Sequence, residues 1–288
     1  MVTDKKGTLH REAHEGDKQN LANLIHFGSH VHRHLDWRTP LEWIGYNPYL
    51  ILKDGEALVA ALACPPDPPN VAWIRLFAGY DAHQVEPAWE ILWAAALDYL
   101  KQYTGLLKIA AIPLHNWFCD LLEKSEFTSP HKVIVLSWMR DQEPETARDL
   151  HPISIRPMLL DDLPGIEQID ADAFGGVWQN SQSCLEIAFR QSVIATVTEI
   201  DGSIAGYQIS TATQAGGHLA RLAVDPEYQG RGIGYKLVLD MLAQFQRRGA
   251  HSVTVNTQHD NLVSLSLYQK AGFVRTGEEY PLFEYDLQ

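Results

Sequence analysis

Residues 222–237, LAVDPEYQGRGIGYKL, carry the densest chemical signal in the chain. An apolar run ends, Asp225-Pro226 turns the backbone, Gln-Gly-Arg-Gly-Ile-Gly follows, and a helical pattern begins. Three glycines in five residues clear side chains from a place where a ligand would approach backbone. The first N–H groups of the following helix have no intrahelical acceptors and point at the loop, where the helix dipole also favours an anion. The pattern predicts a phosphate or pyrophosphate cradle. A P-loop needs Gly-Lys-Ser/Thr, but Gly234 is followed by Tyr235-Lys236-Leu237. A dinucleotide loop needs GxGxxG. Gly230 and Gly232 fill its first two places, and Tyr235 occupies the third.

What fits is Q/R-x-x-G-x-G/A, met by Gln229, Gly232 and Gly234, followed by NLVSLSLYQKAGF at 261–273. On these two motifs, residues 153–288 resemble the GNAT superfamily of acyl-coenzyme A N-acyltransferases. The resemblance implies acetyl-CoA as co-substrate, with the backbone of Leu222, Ala223 and Val224 pairing with its pantetheine arm. It implies that the N–H groups of Gln229, Gly230, Arg231, Gly232, Ile233, Gly234 and Tyr235 hold the pyrophosphate, that Asn261 touches the pantetheine or phosphates, and that Tyr268 lies near the thioester sulfur. The expected reaction is direct attack by a primary amine, of a small molecule or peptide, in a ternary complex. An oxyanion then forms that backbone N–H groups can stabilise, and Tyr268 can return a proton to the departing thiolate. An alternative is a non-catalytic acyl-CoA-binding or interaction protein on the same fold. The attacking amine must lose a proton. Relatives that acetylate protein N-termini often carry a Glu where this chain has Asn256, which leaves Glu199, His218 and Glu284 as candidate bases.

The elements that must position these groups follow from periodicity. ISIRPM (153–158) reads as a strand, and LLDDLPGIEQIDADAF as a helix. SVIATVTEI and SIAGYQIS flank Asp201-Gly202, a hairpin signal. GHLARLAV is a strand leading into the loop. Leu237, Val238, Met241, Leu242 and Phe245 share one face of a helix over 234–248. HSVTVNT is a strand, Asn261 to Lys270 a helix, and EYPLFEYDL a closing strand.

The first half repeats this order at an offset of 146 residues. Arg75-Leu76 falls on Arg221-Leu222, PAWEILWAAALDYL on the helix at 234–248, and LLEKSEF (121–127) on LYQKAGF (267–273). The chemistry is missing from the first copy. His83, Glu86 and Ala88 stand for Gln229, Gly232 and Gly234, Leu122 for Tyr268, and His115 for Asn261. An acidic side chain at a pyrophosphate cradle repels the ligand.

The expected fold is therefore α/β (α+β), with two GNAT-like domains, each a mixed, mostly antiparallel central sheet flanked by helices. The architecture is similar to mycothiol synthase. The domains read as a polar tail at 1–18, a degenerate copy at 19–140, a polar linker DQEPETARDLHP at 141–152, and the acetyl-CoA domain at 153–288. Within LIHFGSHVHRHLDW (24–37), His26, His30 and His34 fall at i, i+4, i+8 of a helical reading. No Cys or carboxylate joins them in register, so no metal is expected. The first half holds all the tryptophans except Trp178; these read mainly as core.

The net charge of −13, shared by both halves, argues against a nucleic-acid partner bound through a basic face. No apolar run approaches a membrane span. Three cysteines without CxxC spacing suggest free thiols and a cytoplasmic location.

Overall fold

The computed structural model describes residues 2–3, 8–105, 108–142, 153–214 and 216–287. Residues 1 and 4–7 of the expected polar tail, and 143–152 of the expected linker, lie outside the described residues. The chain is mixed α/β with mostly antiparallel sheets. It divides into two compact units, residues 1–130 with 281–288, and residues 131–280.

Unit 1 contains β1 (Val2–Thr3), β2 (Thr8–Glu12), α1 (Lys18–Phe27), β3 (His30–Arg33), β4 (Tyr49–Asp54), β5 (Ala57–Ala63), β6 (Val71–Trp73), β7 (Leu76–Gly79), α2 (Val85–Leu100), β8 (Lys108–Ala111) and α3 (Asn116–Lys124). One sheet runs β1-β2-β4-β5-β7-β3. Beside it, β6 and β8 pair in parallel, and Phe283–Asp286 pair antiparallel to β8. Trp89, Leu92, Trp93 and Ala96 of α2 pack with Phe77, Phe118, Phe127 and Phe283 in a single core. Trp89 and Trp93 stack with ring centroids 5.4 Å apart. The core reading of these tryptophans therefore describes what they do.

Unit 2 begins within β9 (Thr128–Met139). It continues through β10 (Ser154–Pro157), α4 (Leu163–Ala173), α5 (Gln182–Gln191), β11 (Ile194–Ile200), β12 (Ser203–Thr213), β13 (Gly216–Val224), α6 (Ile233–Arg247), β14 (Ser252–Gln258) and α7 (Leu262–Lys270), and ends within β15 (Val274–Asp286). Its sheet runs β10-β11-β12-β13-β14-β9. Only the β13–β14 contact is parallel, because α6 crosses between them. The β11–β12 hairpin turns on Asp201 (φ 51°) and Gly202 (φ 80°), as a right-twisted two-residue turn requires. Val238, Met241, Leu242 and Phe245 of α6 bury against Leu219, Val253 and Val255.

Three expectations need correction. The boundary at 140–153 is not where the structure divides. Residues 133–139 of β9 pair with β14, Val133 opposite Gln258 to Met139 opposite Ser252, and Pro281 onward joins unit 1. The tail is also shorter than 18 residues, since β2 pairs with β4 from Thr8–Asp54 to Glu12–Leu50. Finally, residues 24–37 are not one helix. α1 stops at Phe27, and His30–Arg33 form a strand against β7, so His26, His30 and His34 share no helical face.

Both units open alike. Arg11 holds Asp17 through two bonds of 2.7 Å, and Arg156 holds Asp162 through bonds of 2.7 and 2.8 Å. Each Asp also accepts from the backbone N–H three residues before it, at His14 and Leu159. The arginine holds each carboxyl below its usual range.

On β3, His32 is buried, stacked 4.2 Å from Phe118, with Nε2 3.1 Å from Ile74 O. Burial pushes its pKa down to about 4. It likewise pushes His34, stacked on Trp73, well below the ordinary value. Unfolding lets both imidazoles take up protons at their usual pKa near ~6.5. The stabilising contribution of His32 is thus complete above pH ~6.5 and is lost as pH falls towards about 4, and that of His34 is lost in the same direction. We expect denaturant titrations of the native chain to lose roughly 3 kcal/mol across that window from His32 alone. A His32→Gln variant should show a shallower slope there; an unchanged slope would remove His32 from the acid response.

Candidate acyl-transfer site

The site is built where β13 and β14 part. Their parallel ladder holds for Gly217–Val253, His218–Thr254 and Leu219–Val255. Beyond it, β14 continues only against β9, with Asn256 opposite Val135 and Thr257 opposite Ile134. β13 keeps β12 on its other side: Leu222 faces Gln208, Ala223 faces Tyr207, and Val224 faces Gly206. A register shift between Ile209 and Ser210, opposite Arg221 and Leu219, leaves Ala220 bulged. Such bulges bend a strand and re-aim it. Among the described residues, the β14-side edge of Leu222–Val224 therefore has no strand partner, as an extended ligand arm requires.

The loop after β13 is fixed before it reaches the glycines. The Asp225 carboxylate accepts from Glu227 N–H at 2.8 Å, Tyr228 N–H donates to Asp225 O at 2.8 Å, and Gln229 Nε2 donates to Val224 O at 3.0 Å. Gly230 (φ 76°) and Gly232 (φ 79°) then take left-handed conformations, which a side chain disfavours. Arg231 donates to Glu227 O (3.2 Å) and lies over the Tyr228 ring. The first N–H of α6 to reach a carbonyl one turn back is that of Lys236, to Gly232 O at 3.0 Å. Those of Gly230, Arg231, Gly232, Ile233 and Gly234 donate to no protein acceptor among the described residues. A row of unpartnered N–H groups at a helix start suits an anion.

Gly234 has a different role from the other two glycines. A Cβ there would lie 2.9 Å from Leu267 Cδ1 and 3.5 Å from Val224 Cγ2, so its absence lets α6 approach α7. Tyr235 adds to this contact by donating its hydroxyl to Lys270 O at 3.3 Å.

Asn261 is the N-cap of α7. Its Oδ1 accepts from Ser264 N–H (3.0 Å) and its Nδ2 donates to Gln258 Oε1 (3.2 Å). Its side chain is thus engaged within its own turn, and only its remaining lone pair and N–H are left for a ligand. Tyr268 is 5% exposed and packs its ring 5.6 Å from Phe273. Its hydroxyl has no hydrogen-bond partner among the described residues. Burial raises its pKa, with Arg221 acting in the opposite sense. At neutral pH it is therefore protonated and can donate.

Of the candidate bases, Glu199 is tied to Arg156 (2.6 Å), and Glu284 is tied to Lys108 in unit 1. His218 stands one residue before the strands part. Its Nδ1 lies 2.9 Å from Thr254 Oγ1, and burial lowers its pKa, which keeps it neutral and able to accept a proton.

One cluster here was not anticipated. Arg221, on the bulged stretch of β13, makes bonds of 2.6 and 2.7 Å to Asp170 and 2.6 Å to Trp178 O. Its guanidinium lies 3.5 Å from the Phe174 ring centroid. Asp170 is fully buried and also accepts from the Tyr207 hydroxyl and Asn180 N–H. The sequence signal was a carboxylate on the apolar face of α4, beside Ile166 and Ile169. Unit 1 repeats the device. Arg75 pairs with buried Asp36 at 3.1 Å and lies over the Trp43 ring at 4.6 Å, while Trp43 Nε1 donates to Asp36 at 2.8 Å.

Removing one member of a buried pair leaves the other charge uncompensated, at a cost of about 3–5 kcal/mol. We expect Asp170→Ala to lower stability by that amount in chemical denaturation. Glu186→Ala, at an exposed pair with Arg190, should cost under about 1 kcal/mol. Equal effects would show that Asp170 is not the keystone of α4.

Residues 163–273 match the model of the acetyltransferase (GNAT) family. The chain is 34% identical over 76 residues to N-alpha-acetyltransferase 30 of Schizosaccharomyces pombe, covering 26% of this chain and 51% of that protein. It is 24% identical over 119 residues to the putative ribosomal-protein bS18 alanine N-acetyltransferase of Bacillus subtilis, covering 41% and 79%. The match to the fission-yeast enzyme thus spans about half its length. Among solved structures, a GCN5-related N-acetyltransferase from Sphaerobacter thermophilus aligns over 99% of this chain and 98% of its own, with TM-score 0.64 and 15% identity. A tandem GNAT protein from the clavulanic acid biosynthesis pathway aligns over 98% of both chains, with TM-score 0.64 and 12% identity. These identities carry the fold, while the family pattern lies in unit 2, around the cradle. Residues 163–273 thus carry the pattern of the acetyltransferase (GNAT) family, within a chain that has the fold of the tandem GNAT structures over nearly its whole length.

Proposed function

We propose that unit 2 binds acetyl-CoA and passes its acetyl group to a primary amine of a small molecule or peptide, by direct attack in a ternary complex. The observation that carries this reading is the unpartnered N–H row at Gly230–Gly234, on the same unit as an unpartnered, protonated Tyr268 hydroxyl. Bound acetyl-CoA supplies an acyl thioester. The cradle holds its diphosphate, and the open edge of Leu222–Val224 receives its extended arm in the manner of a strand. Tyr268 delivers a proton to the departing thiolate. His218, neutral and close to the parting of the strands, is the best placed of the candidate bases. Relatives named as N-alpha- and alanine N-acetyltransferases support an amine acceptor. The departure at Asn256 separates this chain from the N-terminal-alanine pattern.

Unit 1 is proposed not to bind the cofactor, for a reason beyond its lost motif. Leu76, Phe77 and Ala78 correspond to Leu222, Ala223 and Val224. In unit 1 their free edge is taken by β3, with Arg33 opposite Leu76, His32 opposite Phe77 and Val31 opposite Ala78. The chain's own strand lies where the ligand's arm would lie. Glu86, in the first turn of α2, adds a negative charge where the cradle would be.

Calorimetry with coenzyme A on the full chain should give one site per chain, and Gly232→Glu should abolish it with unchanged circular dichroism. Two sites, or unaltered binding in the variant, would place the diphosphate elsewhere.

Tyr268→Phe should preserve folding and cofactor affinity while kcat falls roughly 10²–10⁴-fold. KM should change little, because the proton is needed only as the C–S bond breaks. Wild-type turnover in that variant, measured by thiol release with amine panels, would leave Tyr268 a packing residue. An absence of turnover with every amine in the wild-type chain would favour a binding protein on this fold.

A further inference from the structure

Away from the cradle, three side chains of unit 2 converge that the proposed chemistry does not use. His131 is the first residue of the unit, within β9, and His259 and Asp260 follow the end of β14. The antiparallel ladder fixes them. Past the Gln258–Val133 pair, His259 N–H donates to Lys132 O at 2.9 Å, and Lys132 N–H donates to His259 Nδ1 at 3.2 Å. His131 Nδ1 stands 3.1 Å from Asp260 Oδ2, and His259 Nδ1 stands 3.8 Å from Asp260 Oδ1. One ligand atom from each residue lies within 4.8 Å of the other two. Tetrahedral ligands ~2.1 Å from a zinc ion stand about 3.4 Å apart, so the set closes by side-chain rotation that also releases His259 Nδ1 from the Lys132 N–H. The neighbouring ammonium of Lys132 is paired with Glu279 at 2.6 Å, which relieves its repulsion of a cation.

We propose that His131, His259 and Asp260 form a binding site for a divalent transition-metal ion of the zinc type. Two imidazoles and one carboxylate suit zinc, nickel or copper, whereas magnesium and calcium take oxygen ligands. The three side chains are 42–51% exposed, so water completes the coordination, in contrast to a closed structural site with four protein ligands. The ion joins the start of β9 to the turn before α7, because Asp260 directly precedes Asn261, the cap of that helix. This site is separate from His26, His30 and His34, where no metal is expected. It also stands independently of the acetyl-transfer reading.

The test uses the untagged full chain, stripped with EDTA and titrated with zinc chloride by calorimetry. The expected result is one EDTA-reversible site per chain. His131→Ala, His259→Gln and Asp260→Asn should each weaken it at least about tenfold with unchanged circular dichroism. His26→Ala, at an exposed position on α1, should leave it unchanged. Cobalt(II) should give a visible d–d band that His131→Ala removes. Absence of saturable binding below millimolar zinc would overturn the assignment. So would wild-type affinity in the folded His131→Ala and Asp260→Asn chains.

Discussion

The parting of β13 from β14 after Leu219 and Val255 is the constraint on which unit 2 depends. A parallel pair that stayed zipped would satisfy every backbone group and leave no room for a ligand. The bulge at Ala220 turns β13 aside, and Arg221 anchors the turned stretch by reaching buried Asp170 on α4. The exposed edge that results is normally a liability, because unpaired N–H and C=O groups invite another strand. Here the edge is short, and Gln229 already occupies the Val224 carbonyl. The loop that limits the edge is the loop that presents the N–H row. The open strand edge and the unpartnered N–H row are therefore consequences of one irregularity.

Unit 1 meets the same constraint and resolves it differently. The strand equivalent to β13 is interrupted at Ile74-Arg75, giving β6, which stays parallel to β8, and β7, which leaves it. Arg75 anchors the break to Asp36, as Arg221 is anchored to Asp170. The edge of β7 is then filled from within by β3, and His32 Nε2–H donates to Ile74 O, the carbonyl left at the break. Loss of the glycine loop and gain of a covering strand are two sides of one change: an edge without a ligand needs another partner.

What is legible in the sequence is what depends on local spacing. The glycine loop, the face of α6, the Asp201-Gly202 hairpin and the doubled element order all follow from periodicity and turn chemistry. Long-range pairing is less visible. Arg11–Asp17 and Arg156–Asp162 repeat at 145 residues, one short of the offset that aligns Arg75 with Arg221, so an ungapped comparison at 146 passes over them. His30 and His32 alternate along a strand, a period of two that the i, i+4, i+8 pattern of His26, His30 and His34 obscured. The metal set was hidden for a simpler reason, since His131 and His259 meet only because the β9–β14 register brings them together. The unit boundary was misplaced because a polar stretch is a good marker of exposed chain, whereas the division falls at Pro130–His131, inside the continuous strand β9.

That division sets an order of events during synthesis. Unit 2 is contiguous from His131 to Tyr280 and is complete when Tyr280 is made. Unit 1 has only its first 130 residues at that stage, and it lacks Phe283, which fills its core, and the partner strand for β8. At ribosomal speeds of ~5–20 residues per second, the earlier-made part waits roughly ten to thirty seconds for its closing segment. For that interval β8 offers Lys108–Ala111 as an unpaired edge beside an incompletely covered aromatic core. The half that keeps no cofactor pattern is thus the half most in need of protection in the nascent chain, and the transferase-like half is finished first.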